Sequence, residues 1–346
     1  MIAIVAGTTG ELIKLAPLMH RVEGRYLLAT TAQQATQIEP LLDELGLPHP
    51  DLWLARGAGG RDLESNRDIP VWLADVGRGF RRHRRELRAA SIVVVHGDTM
   101  TTLLGTLIGR ALRRPVAHVE AGLRSGDLRN PFPEEGIRRT TTRLARIHYA
   151  PGPVAAGVVA GHGTVVDTGA NTIQDALALV PDGPPPVEVP DGVFGVASLH
   201  RFELINNRRL LGETLEQLRR APHPIVFVDH PVTVAALRRF GLTVENRIPR
   251  LGFFAWVRLL RRAAFVVSDS GGAQEECFVL DRPCLVHRLR TERTDGIGET
   301  SYLSGLEAGR VEAFLRDFSS HTRVSPLPSS SPTDVIAADL ALRGFV

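Results

Sequence analysis

The stretch Ala263–Glu276, AAFVVSDSGGAQEE, decides how this chain folds. Its first five residues are apolar, too few for a helix, and they end abruptly in the polar run Ser268-Asp269-Ser270. Tandem glycines, Gly271 and Gly272, follow and open a helix-favouring segment. A buried strand passing through glycine directly into a helix is the repeating unit of a parallel α/β sheet. At such a junction the helix amides point at an anion, and glycine lets the backbone come close to it. Ser270 adds a hydroxyl, and Glu276, about a turn into the helix, is placed to accept from ribose hydroxyls. A plain turn capped by a serine is the blander account, but tandem glycines with a carboxylate exceed what a turn needs. No G-x-G-x-x-G follows any apolar run, so a dinucleotide fingerprint is disfavoured.

Working outward, similar short apolar runs recur between helical patterns. They are Ile2–Ala6, Tyr26–Thr30, Ile92–His96, Val116–Glu120, His148–Ala150 and Val165–Val166. After a Pro/Gly-rich break at Val180–Pro190 come Val193–Leu199, Ile225–Val228, Ile248–Leu251, Phe265–Ser268 and Cys284–His287. This predicts an α/β protein of two Rossmann-like, doubly wound parallel-sheet domains facing a central cleft. The first spans 1–168, the second 169–332, with the junction somewhere in 168–190. A C-terminal helix within 333–346, capped by Thr333 or Asp334, is expected to rejoin the first domain.

Composition agrees. A chain of 346 residues is too long for one ordinary core. Lys and Arg total 41 against 38 Asp and Glu, a net charge of only +3, so the pI near 9.3 does not signal a nucleic-acid-binding face. The basic run Arg78–Arg88 reads as solvated helix surface. Cys277 and Cys284 lie among apolar residues without partners at zinc-ligand spacing, so they read as buried thiols and no metal is expected. The N-terminus reads as a strand rather than a signal peptide, and no apolar stretch reaches the roughly 20 residues of a membrane span. The expectation is a cytoplasmic protein with no membrane partner.

In open α/β sheets ligands bind beyond the carboxyl ends of strands, and polar residues gather there. Asp98 follows the run ending in His96, and Glu120 ends its own, so both would face one cleft. Asp98 could merely cap the helix starting at Thr99. Glu120 is harder to dismiss, since a carboxylate ending an apolar strand is costly without a partner. Glu134-Glu135 follow two prolines; helix-dipole complementarity accounts better for Glu135 than for Glu134. His200 ends the first strand of the second domain, with Arg201 beside it as a phosphate clamp. Together these make an acid/base set with an anion clamp. No serine or cysteine nucleophile has the partners for acyl transfer.

At this point the order of motifs resembles the UDP-N-acetylglucosamine 2-epimerases of the non-hydrolysing bacterial type, over nearly the whole chain. The matching residues are Gly7-Thr8, Glu11, Lys14 and Ala16–Leu18; His96–Thr99; His118–Arg124; and Pro133–Glu135 with Arg138. They continue with Gly169, Asn171-Thr172, His200-Arg201, Glu203, His230-Pro231, Ser270–Gly272, Gln274–Glu276 and Thr291–Arg293. The resemblance implies the glycosyltransferase-B arrangement, with UDP on the second domain and the sugar toward the first. It places Lys14, Asp98, Glu120, Glu134, Arg138 and His200 at the active site. It assigns Ser270, Gly271, Gly272 and Glu276 to pyrophosphate and ribose, Trp256 to a ring stacked near uracil, and Arg201, Arg293 and His230 to substrate contacts. The implied reaction removes the C2 proton as UDP leaves C1, then re-adds UDP after protonation from the opposite face. The partner is a UDP-sugar; no cofactor or metal is needed, and a homodimer comes with the resemblance.

The chain also departs from the family pattern. Thr9-Gly10 stand where the family usually has Arg-Pro, and Gln34-Ala35 where it usually has His-Arg. Phe202 replaces a second Arg after His200, and Thr294 replaces a Pro. The first two changes fall in the sugar-facing half, in a region that contributes to an effector site in bacterial members. Beside 2-epimerisation they leave a hydrolysing epimerase or a glycosyltransferase on the same scaffold. Retention of Glu120 and Glu134 speaks against a non-catalytic nucleotide-sugar binder.

Overall fold

The computed structural model describes residues 1–63, 65, 67–126 and 133–346. Among these the strands form two sheets, parallel throughout. The first has the order β3-β2-β1-β4-β5-β6-β7, from β1 (Ile2–Ala6), β2 (Tyr26–Thr30), β3 (Leu52–Trp53), β4 (Ile92–His96), β5 (Val116–Val119), β6 (Ile147–Ala150) and β7 (Thr164–Asp167). The second has the order β10-β9-β8-β11-β12-β13, from β8 (Gly195–Ser198), β9 (Ile225–Val228), β10 (Arg247–Ile248), β11 (Phe265–Ser268), β12 (Cys284–Val286) and β13 (Ser301–Leu303).

Each sheet is doubly wound, as the apolar runs predict. β1, β4 and β5 are buried along their whole length because helices cover both faces. β3 and β13 escape the sequence reading. A strand of two or three residues at or near a sheet edge has no periodicity of its own.

The chain forms two compact units, Met1–Leu179 with Pro328–Val346, and Val180–Leu327. Residues 169–179 and 328–332 therefore belong with the first unit rather than the second. The helix Ile173–Ala178 buries Ile173, Ala176 and Leu177 and packs on the helix Thr9–Arg21. The C-terminal helix runs Pro332–Leu342 and also packs on Thr9–Arg21. Its cap is Ser331, whose hydroxyl accepts from Asp334 N at 3.0 Å, in place of Thr333 or Asp334. Cys277 and Cys284 are buried free thiols within one apolar cluster. No helix among the described residues is long and apolar enough to cross a membrane.

Candidate active site

In the first sheet the strand order reverses between β1 and β4, so their loops diverge and leave a crevice at the carboxyl ends. Gly7 follows β1; a side chain there would collide with the hydroxyls of Thr31 and Thr101, so glycine lets the loops close over one another. Glu11 then ties the loops together. One carboxylate oxygen accepts from Gly7 N and Thr8 N, each at 2.9 Å; the other accepts from the Thr99 hydroxyl at 2.6 Å. Burial raises the Glu11 pKa and these hydrogen bonds pull against it.

Glu120 leaves β5 in a left-handed conformation, φ 64°, which costs a non-glycine residue roughly 1–3 kcal/mol and persists only where the surroundings enforce it. The enforcement is visible. Lys14 Nζ donates to Glu120 Oε2 at 2.5 Å, Asn171 Nδ2 donates to the same oxygen at 2.6 Å, and His96 Nε2 lies 3.5 Å away. Asn171 appears in the sequence only as part of a motif; its role in seating Glu120 emerges from a partner 51 residues away.

Asp98 caps no helix. Thr99 is the N-cap of the helix Met100–Ala111, and Asp98 accepts from Arg138 Nε at 2.9 Å and Nη2 at 2.5 Å. Arg138 comes from the helix Glu134–Leu144, which also brings Glu134 to its first turn. Glu135 points elsewhere. It is fully buried, accepts from Arg139 Nε at 2.8 Å and Ser125 N at 3.1 Å, and so anchors the loop after β5. His118 donates from Nε2 to Gly97 O at 2.7 Å; burial pushes its pKa down to about 3, so it is a neutral strut.

In the second sheet the order reverses between β8 and β11. His200 and Arg201 follow β8, and Ser270–Gly272 and Glu276 follow β11, whereas His230 follows β9, Trp256 lies in the helix Phe253–Arg262 and Arg293 lies beyond β12. Asp269, fully buried, accepts from the backbone amides of His200 and Arg201, both at 2.8 Å, and its carbonyl accepts from Arg201 Nε at 3.1 Å. Burial raises the Asp269 pKa to about 6 despite these bonds and the arginines nearby. His200 stacks on His230 with ring centroids 4.7 Å apart. Burial, then Arg201, Arg250 and Arg288, hold His200 at about 4; burial, then His200, hold His230 at about 4 as well. Both rings are neutral near pH 7, so positive charge here belongs to arginine.

A cavity of about 160 Å³ opens beside this pair, lined among others by His200, His230, Arg250, Trp256, Ser270 and Glu276. Ser270 caps the helix Gly271–Val279, and Trp256 Nε1 donates to Glu276 Oε2 at 2.7 Å. Gly271 is crowded by Arg293 and Glu292, 3.3 and 3.4 Å from where a Cβ would sit, while Gly272 has ordinary contacts only. Arg293 is engaged by Glu275 and does not line this cavity. Arg250 does line it, a contribution with no signal in the sequence, since it follows a two-residue strand. Among the described residues no metal-ligand cluster of His, Cys, Asp and Glu comes together.

A family model for UDP-N-acetylglucosamine 2-epimerase matches residues 25–330. A UDP-N-acetylglucosamine 2-epimerase from Yersinia pestis is 31% identical over 332 residues, covering 86% of this chain and 85% of its own. A UDP-2,3-diacetamido-2,3-dideoxy-D-glucuronate 2-epimerase from Pseudomonas aeruginosa is 33% identical, covering 75% of this chain and 73% of its own. The crystal structure of the Methanocaldococcus jannaschii UDP-GlcNAc 2-epimerase with UDP-GlcNAc and UDP superposes at a TM-score of 0.84, with 26% identity and 99% of both chains covered. Two doubly wound sheets, strand-end carboxylates locked by Lys14, Asn171 and Arg138, and these likenesses lead to one assignment: the chain belongs to the UDP-N-acetylglucosamine 2-epimerase family.

Proposed function

We propose that this enzyme inverts C2 of UDP-N-acetylglucosamine, or of a close amino-sugar relative, by eliminating and re-adding UDP. The observation that carries the reading is the first unit's carboxylate set at the order reversal. Glu120 is locked by Lys14 and Asn171, Asp98 is locked by Arg138, and Glu134 heads the same helix as Arg138. In the elimination a carboxylate takes the C2 proton, the C2–H electrons form the C1–C2 double bond, and the C1–O bond breaks to release UDP. In the return step a proton reaches C2 on the opposite face and a UDP oxygen attacks C1. This needs acid/base groups on both sides of the ring, the role proposed for Asp98, Glu120 and Glu134.

The nucleotide is assigned to the second unit. Ser270, Gly271 and Gly272 would meet the pyrophosphate at the helix N-terminus, and Glu276 the ribose, its orientation set by Trp256. His200 and His230, neutral at pH 7, would donate hydrogen bonds to the departing diphosphate while Arg201 and Arg250 supply charge.

The Pseudomonas relative favours one widening of the reading, since the sugar it is named for carries a second acetamido group and a carboxylate. Incubation with UDP-N-acetylglucosamine in deuterated water, followed by NMR, tests the proposal. C2 inversion with deuterium at C2 and recovery of the UDP-sugar is the expected result. Free sugar with UDP points to the hydrolysing outcome, and absence of exchange at C2 rejects the chemistry for this sugar.

A further inference from the structure

We propose that the first unit carries a second anion site, for an oligophosphate chain, at the edge of its sheet opposite the carboxylates. A groove of about 640 Å³ is lined by Arg110, Arg113, Arg114, Arg143, Arg146 and His162, and by no aspartate or glutamate. It lies where β5 begins at Val116 and beside the residues preceding β6 and β7. That is the amino end of the strands, away from Glu120 and Asp98.

Arginines at helix ends usually have a plain explanation, attraction to the carbonyl end of the helix. It serves for Arg110 and Arg143, which sit in the last turns of Met100–Ala111 and Glu134–Leu144. It does not serve for Arg113, Arg114 and Arg146, which lie beyond those helices. The contrast with the rest of the surface is sharper. Arg209, Arg219, Arg310 and Arg316 each pair with a glutamate three or four residues away. Among the described residues none of the five groove arginines pairs with a carboxylate; Arg114 donates to Arg88 O at 2.7 Å, and its Nε is buried with no acceptor. Five guanidinium groups held together repel one another, and on a chain of net charge +3 that cost is local rather than a consequence of a basic protein.

The occupant follows from the lining. Guanidinium forks match phosphate oxygens, so several forks in one concavity suit several adjacent phosphates. His162 is the one aromatic ring among the lining residues, so the groove lacks the row of aromatic side chains on which single-stranded nucleic acid stacks its successive bases. The volume is that of a small-ligand site, for which about 300–1,000 Å³ is usual.

The test is calorimetric titration of the full chain with inorganic tripolyphosphate, with UDP in excess to occupy the nucleotide pocket. Saturable binding that weakens with added salt is expected. Arg113→Ala/Arg146→Ala should weaken it by about tenfold or more, as two charge-assisted contacts are lost. Arg209→Ala/Arg316→Ala, which removes equal charge from paired positions, should leave it unchanged. All four side chains are exposed, so both variants are expected to fold, and neither should alter basal turnover. ATP should bind no more tightly than tripolyphosphate; tighter ATP would show recognition of the base and overturn the assignment to the phosphate chain. Absence of saturable binding, or equal weakening in both double variants, would overturn the site itself.

Discussion

Lys14 Nζ lies 2.5 Å from Glu120 Oε2, and Lys14 is the only lysine in a chain whose Lys and Arg together number 41. Everywhere else this protein meets a need for positive charge with arginine. At this position a compact ammonium meets a carboxylate oxygen that also accepts from Asn171. Lys14→Met leaves a buried carboxylate without its main counter-charge and should cost about 3–5 kcal/mol of stability. Lys14→Met/Glu120→Gln should recover most of that loss while staying inactive. Urea unfolding of the three proteins checks this; equal stability of the single and double variants would refute it.

Glu134 and Glu135 are neighbours with opposite expected phenotypes. Glu134→Gln should lower turnover by about two orders of magnitude with little change in UDP affinity, as loss of a proton-transfer group does. Glu135→Gln should instead lower the melting temperature, because it weakens the anchor to Ser125 and Arg139. Near-normal turnover of Glu134→Gln would make that carboxylate structural.

Glu276→Ala removes the acceptor assigned to ribose and should weaken UDP binding by about 1–3 kcal/mol. Trp256→Phe keeps the ring but loses the donor that orients Glu276, so it should cost less than Glu276→Ala. Calorimetry with UDP ranks the two; unchanged affinity in both would remove the ribose assignment.

Stability should fall in acid because of the histidines. Burial holds His118 at about 3 and His200, His230 and His287 at about 4, whereas an exposed histidine titrates near 6.5. Between about pH 6.5 and 4 the unfolded chain therefore binds protons that the folded chain refuses. The contribution is complete above pH 6.5 and is lost as pH falls. Asp269 acts with the opposite sign: its raised pKa, about 6, makes stability fall as pH rises from 3.8 to 6, offsetting part of the histidine effect. Urea midpoints across this range should decline with falling pH, and His118→Asn should flatten the slope.

Thr9 N and Thr9 Oγ1 both donate to Gln34 Oε1, at 2.7 and 2.9 Å. Two residues that depart from the family pattern thus bond to each other and tie the loops after β1 and β2 with neutral groups. Without cations at these positions a second diphosphate has little to grip, and an effector requires a site that distinguishes two states. The rate should be hyperbolic in UDP-N-acetylglucosamine, and UDP-N-acetylmannosamine alone should convert without a lag. A sigmoidal curve would show the effector site rebuilt from other residues.

What the sequence determined by itself was local or ordered along the chain. Runs such as Ile92–His96 and Phe265–Ser268 declare buried parallel strands, because such strands are apolar on both faces. The residues just beyond them declare the functional edge, because loops at strand ends are where polar groups can meet a ligand. Tertiary structure alone decided the partners. Lys14 meets Glu120 across 106 residues, Asp98 meets Arg138 across 40, and Asp269 meets the His200 amide across 69. Residues 169–179 went to the first unit because Ile173, Ala176 and Leu177 needed its helix to cover them. The arginine groove joins the ends of two helices, at Arg110 and Arg143, to the connections that hold Arg113, Arg114, Arg146 and His162, which have no periodic pattern. A motif specifies which group leaves a strand end, but which group it faces depends on where the winding of the sheet brings distant segments together.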